Sequence, residues 1–249
     1  EGDKYFEGQS IDTTQPGKVF LGPLITEVKD DGGSNLDSAP VIFAWSESLS
    51  KWLCATAGKI YTYGTAWTAC STTVAGVKSI AELSGVVYAA CGSGTRYYTS
   101  PDANLWTQTV LTDADGTATA DGFLIAPDPD GLSENIWKFK TPNKVANTSN
   151  GGSGGVNWTS DTYVGETSNN IIGLFLNGNV LYVGKEDGLY WLDSDGGVHA
   201  SLPDEIKVNH STDNFKYVTN WQTSSYFSLQ RGGGELTTAE TFRPLSPLT

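Results

Sequence analysis

The sequence predicts an all-β protein, a β-propeller of about five or six four-stranded blades. The composition is the first observation behind this prediction. The 249 residues include 29 Gly, 8 Trp and 11 Tyr, and charged residues are 17%, below the roughly 25% of typical soluble domains. This mixture is typical of many short strands joined by tight turns, and runs of good helix formers are absent.

A recurring hairpin pattern is the second observation. An apolar stretch is followed by a Gly-containing turn and a second apolar stretch, which is typical of a β-hairpin. The pattern is clear at 51–63, 86–99, 179–192 and 225–236, and looser at 135–146. A further apolar stretch precedes each hairpin, and a tryptophan stretch follows three of them, at Trp67, Trp106 and Trp158.

The spacing of these hairpins is the third observation. The second strands, anchored on their central residues, are 35, 49, 45 and 45 residues apart; the anchors are Leu53, Tyr88, Trp137, Tyr182 and Phe227. A period of roughly 40–50 residues with four strands per repeat is that of a propeller blade, and radial stacking buries both faces of each sheet. A pair of β-sandwiches or a β-solenoid is the alternative.

These repeats divide the chain into three parts. Residues 40–236 form the predicted propeller and 237–249 a C-terminal extension. Residues 1–39 form an N-terminal arm, whose strand candidates at 19–21 and 25–28 could complete the last blade or begin a sixth. The first residues lack the basic and apolar regions of a signal peptide, and the chain contains no Met. We therefore expect a processed chain or a domain of a longer protein.

The net charge of −13 excludes several classes of partner. An acidic surface repels nucleic-acid phosphates and anionic lipid headgroups. No apolar run approaches the roughly 20 residues of a membrane span. We expect a soluble chain in a virion or extracellular setting, with neither nucleic acid nor membrane insertion.

Three cysteines, Cys54, Cys70 and Cys91, occur without a C-x-x-C pair, so zinc and redox motifs are not indicated. We expect small buried apolar side chains. A Cys54–Cys91 or Cys70–Cys91 disulfide is the alternative.

Residues 99–107, which read Thr-Ser-Pro-Asp-Ala-Asn-Leu-Trp-Thr, resemble a degenerate Asp-box, the Ser-x-Asp-x-Gly-x-x-Trp hairpin of sialidase-type propellers. Asn104 replaces the usual Gly, and Trp106 comes one residue early; Ser149, Asn150 and Trp158 form a weaker echo. The resemblance implies a structural turn, in which the Asp accepts backbone N–H bonds and the Trp packs between sheets. It does not imply activity.

More broadly, residues 18–230 resemble uncharacterised propeller proteins of tailed-phage virions. The similarity depends on the stretches 20–23, 38–41 and 182–189 and on the hairpins that end in Trp. It implies a structural or receptor-facing component of the virion.

The sequence predicts no enzyme. His199 and His210 have no motif around them, and the three arginines lie at 96, 231 and 243. The sequence therefore indicates neither a Ser-His-Asp triad nor an arginine triad that would bind a carboxylate.

Three groups of residues are candidate binding sites. Trp67, Trp106 and Trp158, near hairpin ends, could stack on a glycan, whereas tryptophans within strands, such as Trp45 and Trp52, are expected to pack between blades. Asp-x-Asp-Gly occurs three times and could bind Ca²⁺, although Asp and Gly also suit plain turns; the carboxylates are Asp113, Asp115, Asp128, Asp130, Asp193 and Asp195. Glycosylation sequons begin at Asn147, Asn157 and Asn209.

Together these features predict a non-enzymatic structural or recognition module of an extracellular assembly, for which a phage tail or capsid-associated protein is the leading interpretation. Its partners would be other protein subunits and a host-surface glycan. The alternatives are a glycan-binding or glycan-cleaving propeller and a subunit of a fibre-forming surface protein.

Overall fold

The computed structural model describes residues 11–12, 20–21, 32–33, 36–109, 118–127, 134–148, 158–193, 196–201, 215, 218–221, 223–229, 233–238 and 241–245. Within these residues the regular elements are all strands, and they form five four-stranded antiparallel sheets and two two-stranded ones. The predicted fold class, an all-β propeller of about five or six blades, is confirmed.

The five sheets follow one another along the chain, and the first strands of successive sheets contact one another through the first four. The first sheet consists of β3 (Ile42–Ser46), β4 (Lys51–Ala55), β5 (Ile60–Tyr63) and β6 (Trp67–Ala69). The second consists of β7 (Ser79–Leu83), β8 (Val86–Ala90), β10 (Tyr98–Ser100) and β11 (Thr107–Gln108). The third sheet contains β13 (Gly122–Pro127), β14 (Glu134–Lys140), β15 (Lys144–Thr148) and β16 (Thr162–Tyr163). The fourth contains β17 (Ile171–Asn177), β18 (Val180–Lys185), β19 (Gly188–Leu192) and β20 (Val198–Ala200). The fifth contains β21 (Val218–Trp221), β22 (Ser224–Ser228), β23 (Gly233–Thr237) and β24 (Phe242–Leu245).

Four apolar clusters fill the spaces between successive sheets. Leu53 of β4 packs with Val87 of β8, between the first and second sheets. Tyr88, the next residue of β8, faces the other way and packs with Phe123 of the third sheet. Strands alternate their side chains between two faces, so a strand buried on both faces reads as a continuous apolar run. All five anchor residues of the repeat are buried.

The second repeat differs from the prediction. The hairpin predicted over 86–99 would place its second strand, the third of the sheet, at 95–99, but β9 (Gly92–Arg96) leaves the sheet and pairs with β12 (Thr119–Ala120). The third strand is β10, which pairs with β8. The chain turns out of the sheet at Gly92, which has φ +92°. Glycine reaches this positive φ far more readily than other residues do.

The chain ends of the predicted propeller also differ. A strand at Trp158 was expected to follow the third hairpin, but the fourth strand of the third sheet is β16, which begins four residues later, at Thr162. In the fifth sheet β24 pairs with β23 along Phe242–Leu245, so the sheet continues into the segment predicted as a separate C-terminal extension. In the N-terminal arm, β1 (Ile11–Asp12) pairs with β2 (Phe20–Leu21), and the strand candidate at 25–28 lies outside the described residues.

The three cysteines are free thiols. Cys54 is fully buried, and Cys70 and Cys91 are partly buried against the first cluster. Burial raises the pKa of each thiol to about 11. The thiols are therefore protonated at neutral pH and pack as small apolar groups.

Candidate functional site

A funnel of about 510 Å³ opens where the innermost strands of the first four sheets begin. The same backbone hydrogen bond recurs at this end of the first three sheets. In each, the residue just before the first strand donates its N–H to a carbonyl near the end of the second strand. Val41 N donates to Ala55 O at 2.8 Å, and Lys78 N donates to Ala90 O at 2.7 Å. Asp121 N makes the equivalent bond to Phe139 O. Val41, Lys78 and Asp121 therefore occupy equivalent positions on the rim of the funnel.

An ion pair joins two of these rim positions. Lys78 Nζ lies 3.0 Å from Asp121 Oδ1, and the Lys78 side chain is 56% exposed whereas that of Asp121 is 5% exposed. The other carboxylate oxygen of Asp121 accepts bonds from Thr141 N at 2.9 Å and Thr141 Oγ1 at 3.0 Å. The buried carboxylate is thus held in place and positions an ammonium group that faces the funnel.

The environment of Asp121 favours its charged form. Burial raises its pKa, but the hydrogen bonds from Thr141 and Lys78 outweigh burial and hold the pKa below its usual value. Gly92 is part of this arrangement, because a Cβ there would lie 2.8 Å from Lys78 Nζ. A side chain at position 92 would displace the lysine from the carboxylate.

This chemistry suits binding better than proton transfer. A general base needs a pKa near the working pH, and the pKa of Asp121 is lowered. The Lys78 ammonium has three N–H donors, of which one is directed at Asp121. The remaining walls are largely aliphatic, with Val41, Ile172 and Leu174 among them. The funnel can therefore accept a group that combines an acceptor oxygen, best a carboxylate, with an apolar body.

A second feature is an exposed row of aromatic rings on the first sheet, which we call the aromatic face. Four of its rings lie opposite one another across all four strands and a fifth lies two residues along β3; they are Trp45, Trp52, Tyr63, Trp67 and Phe43. Phe43, Trp45, Trp52 and Tyr63 are 54%, 45%, 48% and 41% exposed.

The three tryptophans predicted as glycan platforms occupy different settings. Trp106 is 5% exposed within the first apolar cluster, so its ring is core and is not available for stacking. Trp158 is partly buried, stacked on Phe123, with Lys138 Nζ 4.3 Å from its ring centroid. Trp67 lies half-buried in the aromatic face. Trp45 and Trp52, expected between blades, are exposed because no other described sheet covers their side of the first sheet.

The turn at Asp102 is closed by hydrogen bonds. Asp102 Oδ1 accepts bonds from Asn104 N and Leu105 N, both at 2.9 Å. Ser100 Oγ donates to Leu105 O at 2.8 Å. The bonds from Asn104 and Leu105 hold the pKa of Asp102 below its usual range. This carboxylate closes a turn rather than facing a ligand.

Of the predicted calcium ligands, the structure describes Asp193. Its Oδ1 accepts a bond from Gly197 N at 2.6 Å, and Oδ2 lies 2.7 Å from His199 Nε2. Within the described residues no cluster of three or more His, Cys, Asp or Glu is arranged to hold a metal ion. The other five carboxylates, Asp113, Asp115, Asp128, Asp130 and Asp195, lie outside those residues, so calcium stays a prediction.

Of the sequons, Asn147 lies in β15, partly buried, and its N–H donates to Thr159 Oγ1. Asn157 and Asn209 lie outside the described residues. Glycosylation stays a prediction.

Lys78 and Asp121 were missed in the sequence analysis, although a signal for them exists. Lys78 lies two residues before Ile80, and Asp121 lies two residues before Phe123, the first large apolar residue of each innermost strand. Aligning the repeats on these strands places both charges at the rim. Their opposite signs at equivalent positions of adjacent blades predict an ion pair.

The fold resembles that of known extracellular and surface domains. The extracellular domain of the putative one-component system BT4673 from B. thetaiotaomicron matches with a TM-score of 0.60 and 14% identity, over 87% of this chain and 31% of that one. PorZ, a surface component of the type-IX secretion system of Porphyromonas gingivalis, matches with a TM-score of 0.55 and 12% identity, over 84% and 26%. This chain thus spans about a third or less of those proteins.

A third structure is nearer in length. A functionally unknown protein from Desulfotomaculum acetoxidans matches with a TM-score of 0.58 and 12% identity, over 85% of this chain and 70% of that one. At such identities the likeness establishes the propeller-type fold. No protein-family model and no curated protein matches the chain. None of the described residues forms a helix that could cross a membrane.

Proposed function

We propose that this chain is a non-enzymatic recognition module of an extracellular assembly. Its fold is shared with the extracellular domain of a putative one-component system and with a surface component of a secretion system, which supports this setting. Within that class we propose a phage virion component, on the strength of the resemblance of residues 18–230 to virion propellers.

One observation carries the recognition role: an exposed ammonium is held by a buried carboxylate in a funnel with aliphatic walls. The carboxylate has little freedom to act as a base, because both its oxygens accept hydrogen bonds. The Cys91 thiol nearby has a pKa raised to about 11 by burial, so it is a poor nucleophile at neutral pH. The funnel is therefore suited to hold a ligand unchanged.

The ligand chemistry that fits is a carboxylate on a partly apolar body. Such a group could come from a neighbouring protein subunit, as an acidic side chain or a chain terminus, or from an acidic host glycan. In either case Lys78 supplies charge-assisted hydrogen bonds, and Asp121 keeps the ammonium in place. A carboxylate-bearing protein segment is the first candidate, and the glycan is the alternative that the same site allows.

The experiment measures binding of the purified chain to two immobilised panels. One holds acidic peptides beside their amidated counterparts, and the other holds sialylated glycans beside the same glycans after desialylation. Lys78→Met is compared with Lys59→Met, which changes an exposed lysine in the turn between β4 and β5 that does not line the funnel.

We expect retention of the carboxylate-bearing members of one panel, with an affinity loss of about tenfold or more in Lys78→Met, the cost of one charge-assisted bond. Lys59→Met should bind as the parent chain does. Equal binding to acidic and neutral members, or an unchanged affinity in Lys78→Met, would refute the proposal. The panel that responds identifies the source of the carboxylate.

A further inference from the structure

The wall of the funnel on the fourth sheet is a strand edge. Asp121 balances the charge of Lys78, so a carboxylate ligand needs further partners in the funnel to bind firmly. Four consecutive residues of β17, from Ile171 to Leu174, line the funnel. The side chains of a strand alternate between its two faces, so four residues in a row line one cavity where the backbone edge of the strand faces it. The wall therefore offers peptide groups as well as aliphatic side chains.

Strand β17 lies at the end of its sheet. The order of the fourth sheet is β17, β18, β19 and β20, so β18 pairs with one edge of β17, and none of the described strands pairs with the other. An unpaired edge is a row of N–H and C=O groups that can pair with another extended chain. The open edge of β17 is thus suited to bind a polypeptide by strand addition.

Hydrogen bonds near the end of β17 show which residues lie on the open edge. Asn220 Nδ2 of the fifth sheet donates to Leu176 O at 3.1 Å, and Ser225 Oγ donates to the same carbonyl at 3.4 Å. Leu176 O therefore points away from β18. The peptide groups along a strand alternate in direction with a period of two, so the N–H and C=O of Leu174 lie on the same edge. Leu174 also lines the funnel, where a ligand can reach these groups.

A bulge shapes the start of the same edge. The register of β17 with β18 shifts between Ile171 and Gly173, so Ile172 is the extra residue of a β-bulge. A bulge bends its strand and re-aims side chains, and bulges are common beside active sites. Ile172 and Gly173 are both partly exposed, and Gly173 has no side chain that would cover the edge. The bend and the missing side chain leave room for another chain beside Leu174.

The shape of the funnel restricts its ligand to the end of a chain. Its volume of about 510 Å³ lies within the roughly 300–1,000 Å³ of ligand pockets, which holds a few residues but not a folded surface. An acidic side chain within a loop would bring two chain segments into this space, whereas a C-terminal carboxylate brings one. A glycan lacks the alternating N–H and C=O groups that pair with a strand edge. The geometry thus favours a polypeptide terminus.

We propose that the funnel binds the C-terminus of an extended protein segment, an inference that rests on the proposed function and names its ligand. The terminal carboxylate accepts hydrogen bonds from Lys78, and a residue upstream of it exchanges backbone hydrogen bonds with Leu174. Alternate side chains of the segment pack against the aliphatic wall formed by Val41 and Ile172. The carboxylate supplies charge-assisted bonds, and the strand pairing fixes the direction of the bound chain.

Isothermal titration calorimetry with short peptides tests this on the full chain. The probes are three acetylated pentapeptides, Gly-Thr-Val-Thr followed by Val, Leu or Ile, which combine high β-propensity with an aliphatic last residue. Each is compared with its C-terminal amide. A further peptide ends in Glu with an amidated terminus, so that its carboxylate is on a side chain. The last set carries one N-methyl group on each peptide nitrogen in turn.

We expect at least one free acid to bind the parent chain, and its amide and the Glu peptide to bind about tenfold or more weakly, since both lack the terminal carboxylate. N-methylation should weaken binding by about fivefold or more at a nitrogen whose N–H faces β17, and have little effect at the next nitrogen along the chain, because these N–H groups alternate in direction. Lys78→Met should weaken the free acid by about tenfold or more, and Lys59→Met should leave its affinity unchanged.

Three outcomes would overturn the proposal. The first is the absence of binding by all three free acids, and the second is equal binding of acid and amide. The third is tolerance of N-methylation at every nitrogen by a free acid that binds, which would exclude pairing with β17. None of them refutes the proposed function while Lys78→Met still weakens binding of an acidic peptide or glycan from the two panels. Loss of that dependence on Lys78 refutes the proposed function itself, so the two failures are distinguishable.

Discussion

Replacing Trp106 by Ala removes the largest side chain from the cluster between the first and second sheets. Trp106 is 5% exposed and packs with Leu53 and Val87. Its Nε1 donates to Ala103 O at 3.2 Å, and its backbone N donates to Thr72 Oγ1. The substitution leaves the backbone bond intact, so its cost comes from the side chain.

Two contributions set the magnitude. Loss of buried apolar area together with the cavity left behind costs about 3–5 kcal/mol for a buried Trp→Ala change. Loss of the indole bond adds little, because Ala103 O also accepts a bond from Cys70 Sγ at 2.8 Å and is not left without a donor. We therefore expect about 4 kcal/mol, and a fall in Tm of roughly 10 °C for a chain of this size.

Urea unfolding followed by far-UV circular dichroism measures the free energy of unfolding. Trp106→Phe, which keeps most of the ring volume but loses the N–H, should cost well under half as much. Trp221→Ala removes a side chain that is 65% exposed, and should change stability by less than about 0.5 kcal/mol. A loss below about 1 kcal/mol in Trp106→Ala would refute its place in the core.

Three further substitutions test other parts of the structure by the same urea assay. Gly184→Ala places a Cβ 2.3 Å from that of Phe215 and should cost about 1–3 kcal/mol, whereas Gly64→Ala, with open space around it, should not. Lys185 Nζ donates to the carbonyls of Val164 and Glu166 at 2.8 and 2.6 Å. Lys185→Met removes this donor from both carbonyls and should lower the free energy of unfolding by about 1–3 kcal/mol. Lys59→Met should leave the free energy of unfolding unchanged. Asp121 has a lowered folded-state pKa, so its contribution is present above its unfolded pKa of about 3.9 and is lost as pH falls through the folded pKa. Asp121→Asn should therefore destabilise at pH 7 and converge with the parent chain at low pH, and an equal difference at pH 7 and pH 2 would contradict this.

The repeat was predictable because its signal is local. Strands such as β8 and β18 are buried on both faces, so they appear in the sequence as uninterrupted apolar runs between turn residues. All five second strands are therefore predictable from the sequence. The place of β9 is not, because the pairing of Gly92–Arg96 with Thr119–Ala120 is a long-range choice that no local pattern encodes.

The sites depend on which sheets become neighbours, and this explains what the sequence analysis missed. Lys78 and Asp121 are 43 residues apart and resemble ordinary loop charges until adjacent blades bring them within 3.0 Å. Burial of the tryptophans was misjudged for the same reason. Trp106, at a hairpin end, is covered by its own sheet and the preceding one, whereas Trp45, within a strand, belongs to a face that the other described sheets leave open.

The outer face of the fifth sheet is more polar at its centre than the aromatic face. Glu235 Oε1 accepts bonds from Ser224 Oγ at 2.8 Å and Tyr226 Oη at 3.1 Å, and Arg243 is exposed opposite Glu235. Covering this face would strip water from charged groups whose hydrogen bonds are already made. Copies of the chain that add end to end through this part of the fifth sheet would therefore lose the hydration of Glu235 and Arg243, whereas exposed Trp221 and Leu245 lie on the same face.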